Sequence, residues 1–95
     1  MTRVLEIVHL RLAGDETQTL LELVQGAVAQ EGTEASVHVF RHAGITSDLA
    51  VHIVRGEVEA TEAPSDLGNR IASILRWHGL VEHSVWIGVP SSSHE

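Results

Sequence analysis

Four segments of the sequence place an aliphatic residue at every second position, and this alternation limits the possible folds more than any other feature. The aliphatic positions are Val8, Leu10 and Leu12, then Val37 and Val39, then Leu49, Val51 and Ile53, and finally Val85, Ile87 and Val89. Because successive side chains of an extended strand point to opposite faces, each segment predicts a strand with one aliphatic face. A sheet built from such strands needs a covering layer on that face.

Two segments between these strands have apolar residues at helical spacing. The first contains Leu20, Leu21, Val24, Ala27 and Val28 and is expected to end near Gly32, and the second contains Leu67, Ile71, Ile74, Leu75 and His78 between Pro64 and Gly79. Strands are predicted over residues 4–12, 35–42, 48–58 and 83–89. The resulting order βαββαβ is typical of an α+β, ferredoxin-like domain. Such a domain has a four-stranded antiparallel sheet in the order 4-1-3-2 and both helices on one face.

Length and composition predict a single domain over residues 1–90 and a flexible C-terminal tail over residues 91–95. The chain has 95 residues, with 6 Lys and Arg against 13 Asp and Glu, and a formal net charge of −7. This acidic balance argues against nucleic acid and membrane surfaces as partners. Cysteine is absent, and no segment has the continuous apolar core of a signal peptide or membrane span. A cytoplasmic location is therefore expected.

The predicted sheet face that points away from the helices is rich in histidine and apolar residues. By strand parity it carries Leu5, Ile7, His9, Arg11, His38, Phe40, His42, Ala50, His52, Val54 and Trp86. So large an apolar surface exceeds what a monomer usually leaves in contact with water. A partner is therefore expected on this face.

The opening strand VLEIVHLRL, the βαββαβ order and the segment SDLGNRIASILRWHGLVEHSVWIGV resemble the dimeric α/β-barrel superfamily. This superfamily includes antibiotic-biosynthesis-monooxygenase-like and stress-responsive barrel domains, and the resemblance covers essentially the whole chain. It implies a homodimer in which two sheets enclose a lumen lined by the histidine and tryptophan face. It also implies a small aromatic or polyketide-like organic molecule as the ligand. Members range from cofactor-free oxygenases to haem enzymes and isomerases, so the fold alone does not decide the function.

The hairpin between the second and third strands predicts which side chains are neighbours. A turn centred on Ile45 gives the cross-strand pairs His38–His52, Phe40–Ala50 and His42–Asp48. With the third strand beside the first, the expected order of side chains across the sheet is Trp86, His9, His52 and His38. Neighbouring imidazoles in such a row are close enough to share a ligand or a hydrogen bond.

His9, His38 and His52 are the candidate catalytic residues, because imidazoles can bind an enol or carbonyl oxygen or move a proton near neutral pH. The other residues assigned to a ligand pocket or dimer face are Leu5, Ile7, Arg11, Phe40, His42, Asp48, Val54 and Trp86. The pair His42–Asp48 either orients an imidazole for general-base work or satisfies the turn. Arg11 either holds an anionic group or lies along the lumen rim, and Trp86 is expected to form the lumen wall.

Three functions remain open from the residues. They are a cofactor-free monooxygenase or related enzyme, a non-catalytic dimerisation or ligand-sensing module, and a His-ligated metal or haem protein. No cofactor and no metal site are assigned, because His38 and His42 lie four residues apart on one strand, roughly 13 Å by strand rise, too far to hold one ion. His83, at the start of the predicted last strand, and His94, in the tail, are expected to be exposed.

Overall fold

The computed structural model describes residues 2–11, 17–31, 36–45, 47–57 and 63–89. Its elements are β1 (Thr2–Arg11), α1 (Thr17–Glu31), β2 (Ser36–Arg41), β3 (Leu49–Glu57), α2 (Asp66–Leu75) and β4 (Leu80–Ile87). The predicted α+β class, with two helices and a four-stranded antiparallel sheet, is confirmed.

The strands form one sheet in the order β2-β3-β1-β4, which reads 4-1-3-2 from the opposite edge. Neighbouring strands are antiparallel throughout. Strands β1 and β3 lie in the centre, so Ile7 of β1 has His52 of β3 on one side and Ser84 of β4 on the other.

The helices cover one face of this sheet, and the aliphatic alternation is what creates the covered face. The fully or almost fully buried core residues are Val8, Leu10, Leu49, Val51 and Ile53 from the sheet, Leu20, Val24 and Ala27 from α1, and Leu67, Ile71, Ala72 and Leu75 from α2. Burying these side chains contributes about 25 cal/mol for each Å² of apolar surface removed from water. The predicted division of the sheet into a helix-covered face and a second face is therefore correct.

Several predicted element boundaries differ from the observed ones, most clearly at the starts of β4 and α2. Strand β4 begins at Leu80, three residues before the predicted start at His83, because it pairs with β1 as far as Arg11. Helix α2 begins at Asp66, and Ser65 is its N-cap; the Ser65 side chain accepts a hydrogen bond from the Gly68 backbone N–H. Pro64 therefore precedes the cap and does not occupy the first helical position, since a serine hydroxyl satisfies a free N–H of the first turn.

Several predictions concern residues outside the described ranges. These are the end of α1 near Gly32, the end of the third strand at residue 58 and the tail over residues 91–95. Within the described ranges, neither helix has the length and apolar character that crossing a bilayer requires.

Candidate functional site on the open sheet face

The sheet surface opposite the helices, here called the open face, is covered by no element of the described part of the chain. It carries Leu5, Ile7, His9 and Arg11 from β1, His38 and Phe40 from β2, Ala50, His52 and Val54 from β3, and Leu80, Glu82, Ser84 and Trp86 from β4. Its largest apolar side chains are well exposed, since Phe40 is 52% and Trp86 59% accessible. All three predicted catalytic histidines lie on this surface.

The strand register sets out the open face in rows of cross-strand neighbours. One row contains Ser84, Ile7, His52 and His38, the next contains Glu82, His9, Ala50 and Phe40, and a third contains Trp86, Leu5, Val54 and Ser36. The predicted pairs His38–His52 and Phe40–Ala50 are confirmed. The predicted row from Trp86 through His9 to His52 is wrong. Trp86 pairs with Leu5, four residues from His9 along β1 and therefore roughly 13 Å away.

His9 is held between two carboxylates. Its Nε2 lies 3.3 Å from Oδ2 of Asp48, and its Nδ1 lies 3.6 Å from Oε1 of Glu82. The Asp48 side chain is only 9% exposed, whereas that of Glu82 is 64% exposed. Asp48 is therefore the fixed partner that orients the imidazole ring, and Glu82 is the partner that solvent or a ligand can replace. The His9 ring keeps 34% of its surface exposed, so it remains accessible from the open face.

The pair predicted for general-base work, His42 with Asp48, forms only through the backbone. The His42 N–H donates to the Asp48 carbonyl at 3.0 Å, which confirms the predicted hairpin register. The His42 side chain turns to the loop instead, where Nδ1 accepts from the N–H groups of Gly44 at 3.0 Å and Ile45 at 2.8 Å. His42 thus satisfies the turn, which is the second of the two predicted roles of this pair, and the carboxylate of Asp48 contacts the His9 ring.

Arg11, Trp86 and His52, three further polar or aromatic residues of the open face, have partners of different kinds. Arg11 lies at the rim, with its guanidinium 3.9 Å from Glu82, and so is not an unpaired cation waiting for an anionic group. Trp86 donates its indole N–H to the Ser84 hydroxyl at 3.0 Å. In contrast, the His52 ring meets the Phe40 ring edge-on, with centroids 4.8 Å apart.

Among the described residues, no group of three or more His, Asp or Glu side chains is arranged to hold a metal ion. An open groove of about 440 Å³ lies between the helices, away from the open face, and is lined by Leu23, Gly26 and Ala27 of α1 and by Arg70 and Ile74 of α2. It contains none of the predicted site residues.

A second carboxylate–histidine cluster, on the helix-covered face, was missed by the sequence reasoning. Glu6 is completely buried, and its Oε2 lies 2.6 Å from Nε2 of His83. Its Oε1 accepts a 2.7 Å hydrogen bond from the Ser65 hydroxyl, and the Ser65 N–H lies 3.2 Å from both carboxylate oxygens. Arg55 completes the surroundings, with Nη2 at 3.7 Å from Oε1.

This cluster fastens the start of α2 to the centre of the sheet. A carboxylate at a helix N-terminus is favourable because the free N–H groups and the helix dipole there attract negative charge. Gly68 is essential to the arrangement, since a Cβ at that position would lie 1.7 Å from Glu6 Oε2. The prediction that His83 is exposed is wrong, because β4 starts earlier and its alternation places the His83 ring, 11% exposed, on the covered face.

A signal for this cluster was present in the sequence. Glu6 has the same strand parity as Val4 and Val8, and His83 has the same parity as Val85 and Ile87. A charged residue among core positions needs a paired, hydrogen-bonded environment, so the two polar residues with core parity predict each other as partners.

Comparison of this chain with protein-family models, curated proteins and solved structures finds no match. The case for a function therefore depends on the geometry of the open face and on the physical chemistry of its residues.

Proposed function

We propose that the open face binds a small organic molecule and that a second copy of the chain closes the site. The assembly would be a homodimer of ferredoxin-like subunits, a dimeric α/β barrel, working in the cytoplasm. The observation that carries this proposal is the oriented, accessible His9 ring on a largely apolar surface, with the buried carboxylate of Asp48 behind it. Small-molecule sites combine apolar walls with a few well-placed polar groups in this way.

The proposed chemistry follows from the different surroundings of the two ring nitrogens of His9. A proton on Nε2 is directed to Asp48, which leaves Nδ1 for a ligand hydroxyl once the exposed Glu82 side chain swings aside. A carboxylate that fixes the tautomer and orientation of an imidazole is a recurring feature of general bases. We therefore assign proton abstraction to His9, positioning of His9 to Asp48, and ligand hydrogen bonding to His38 and His52. The proposed reaction class is cofactor-free oxygenation, or a related conversion, of a small aromatic or polyketide-like compound.

A second candidate is a non-catalytic dimerisation or ligand-sensing module, and one observation favours it. Leu5, Val54 and Trp86 make the third row of the open face largely apolar, and Ile7 adds an aliphatic side chain in the neighbouring row. Such a surface suits burial against a second copy whether or not a reaction takes place. Both candidate functions include the homodimer, and they differ in whether His9 and Asp48 take part in a reaction.

The dimer is tested by sedimentation of the untagged chain with a matched pair of tryptophan substitutions. Trp86→Glu places a charge on the open face, whereas Trp77→Glu changes an 88% exposed tryptophan in the turn after α2. We expect a dimer for the wild type and for Trp77→Glu, and a monomer for Trp86→Glu, because an unpaired charge in an interface is costly. A monomeric wild type, or dissociation by both substitutions alike, would contradict this interface.

Ligand binding is tested by nuclear magnetic resonance with naphthol as an aromatic hydroxyl probe. We expect the signals of His9, Phe40 and Trp86 to shift, and Asp48→Asn to weaken binding several-fold by releasing the His9 ring. The matched control is Asp66→Asn, which changes an exposed aspartate in the first turn of α2. Naphthol shifts confined to the groove between the helices would refute the site. Equal affinity in Asp48→Asn and wild type would leave the non-catalytic module as the better description.

A further inference from the structure

We propose that His38 and His52 form a two-imidazole clamp for one divalent transition-metal ion of the zinc type. The two residues are directly opposite each other on β2 and β3, with both side chains on the open face. This inference assigns a further ligand to two residues of the proposed small-molecule site, but binding of the ion requires neither the organic molecule nor the reaction.

The backbone ladder sets the spacing of this pair. His42 N–H donates to the Asp48 carbonyl at 3.0 Å, and hydrogen-bonded and non-hydrogen-bonded pairs alternate along an antiparallel ladder. The His38–His52 pair lies four residues further along each strand, which is two full repeats of this alternation. It is therefore again a hydrogen-bonded pair, with Cα atoms about 5.5 Å apart. Side chains that leave the same face at this separation can converge on one ion, because Zn–N bonds are about 2.0–2.1 Å long.

Both imidazoles have unused nitrogen atoms. Within the described ranges, neither His38 nor His52 makes a hydrogen bond or ion pair with a protein group, whereas His9, His42 and His83 each have such a partner. His52 is half-buried, so its polar atoms gain from a partner that the protein itself does not provide. A shared metal ion would satisfy a nitrogen of each ring at once.

The surroundings of the pair favour a cation with nitrogen ligands. Phe40 packs edge-on against His52 at 4.8 Å and lies 6.5 Å from His38, so it limits the directions in which both rings can turn. Imidazole suits Zn²⁺, Cu²⁺ and Ni²⁺, and the net charge of −7 raises the local concentration of cations. With two protein ligands, the other coordination positions are filled by water, or by the same pair from a second copy where the open faces meet.

The test is isothermal titration calorimetry, in which the untagged chain is titrated with Zn²⁺ alone. The variants are His38→Asn and His52→Asn, and the matched control is His42→Asn, whose ring lies at the turn. We expect saturable binding to the wild type and the control, and a dissociation constant at least roughly tenfold higher in each clamp variant, which corresponds to about 1.4 kcal/mol. Absence of saturable binding to the wild type, or unchanged affinity in both clamp variants, would overturn the proposal.

A second measurement uses only the wild-type protein, so its result does not depend on whether a variant folds. In nitrogen–proton correlation spectra, Zn²⁺ should move the imidazole signals of His38 and His52 and leave that of His83 in place. Movement of other histidines without these two would refute the clamp. Failure here is distinguishable from failure of the proposed function, because the naphthol titration and the Trp86→Glu sedimentation experiment contain no metal.

Discussion

Substitution of Gly68 by alanine should destabilise the protein strongly, although alanine is the better helix former. Gly68 lies in the first turn of α2, directly over the buried carboxylate of Glu6. A Cβ there would be 1.7 Å from Oε2 and 2.4 Å from Cδ of Glu6, far inside van der Waals contact. The methyl group does not fit without a displacement of neighbouring atoms, so either the Glu6 carboxylate or the start of α2 has to move.

The cost can be worked out from the hydrogen bonds that this movement breaks. Displacing Oε2 separates it from His83 at 2.6 Å and from the Ser65 N–H at 3.2 Å. Hydrogen bonds to a charged group contribute about 1.5–3 kcal/mol each, and the helix propensity of alanine returns about 0.5–1 kcal/mol. The net loss is therefore about 2–5.5 kcal/mol, out of roughly 5–15 kcal/mol for a domain of this kind. The melting temperature should fall by at least roughly 8 °C.

Two controls separate the clash from the general effect of removing a glycine. Gly26 lies within α1, and a Cβ there would have no neighbour within 4 Å, so Gly26→Ala should stabilise the protein by about 0.5–1 kcal/mol. In a Glu6→Ala background the obstructing carboxylate is gone, and Gly68→Ala should become neutral or stabilising. The two sites should thus show an interaction free energy of about 3 kcal/mol or more.

The assay is urea unfolding followed by circular dichroism for all five proteins, with the free energy of unfolding taken from each transition. A loss in Gly68→Ala that persists unchanged when Glu6 is alanine would refute the reasoning, because the cost would then have no connection with the carboxylate. A Gly26→Ala variant as unstable as Gly68→Ala would refute it equally.

Three further predictions concern individual polar contacts. Ser65→Ala should cost about 2 kcal/mol, because one hydroxyl both caps α2 and donates to the buried carboxylate, while Ser36→Ala, at an exposed position of β2, should cost under about 0.5 kcal/mol in the same urea assay. Arg70→Ala should cost less than about 1 kcal/mol, since its guanidinium bridges to α1 at the surface and is 44% exposed; a thermal scan showing a larger loss would contradict this. Asp48→Asn should leave the fold intact but broaden or shift the His9 imidazole resonances, and an unchanged spectrum would mean that the carboxylate does not orient the ring.

Local patterns in the sequence predicted the parts of the fold that depend on local chemistry. Alternation identified the core face, because Val8 and Leu10, or Val51 and Ile53, lie two residues apart and must share a face in any strand. The β2–β3 register was predictable for the same reason, since a short turn around Ile45 leaves few alternative pairings.

Contacts between distant segments were harder to predict. Strands β4 and β1 pair although most of the sequence lies between them and no turn links them directly. The start of β4 at Leu80 and the pairing of Trp86 with Leu5 therefore had no local signal in the sequence. The predicted strand omits residues 80–82, since the polar residues Glu82, His83 and Ser84 weaken the alternation in this segment. Its pairing and the partner Glu6 restore the strand, which shows that tertiary contacts decide where local preference is weak.

Strand β1 shows why residue type alone cannot distinguish a structural site from a functional one. It sends Glu6 to the covered face and His9 to the open face, and each joins a carboxylate–histidine pair. Ser65, His83 and the nearby Arg55 surround the Glu6 carboxylate, which is fully buried, so no ligand can approach it. The His9 ring is fixed on one side and accessible on the other. Because only the second arrangement leaves a polar side chain accessible from outside, the burial of Glu6 fits an anchor of the fold, and the exposure of His9 supports its proposed role in ligand binding.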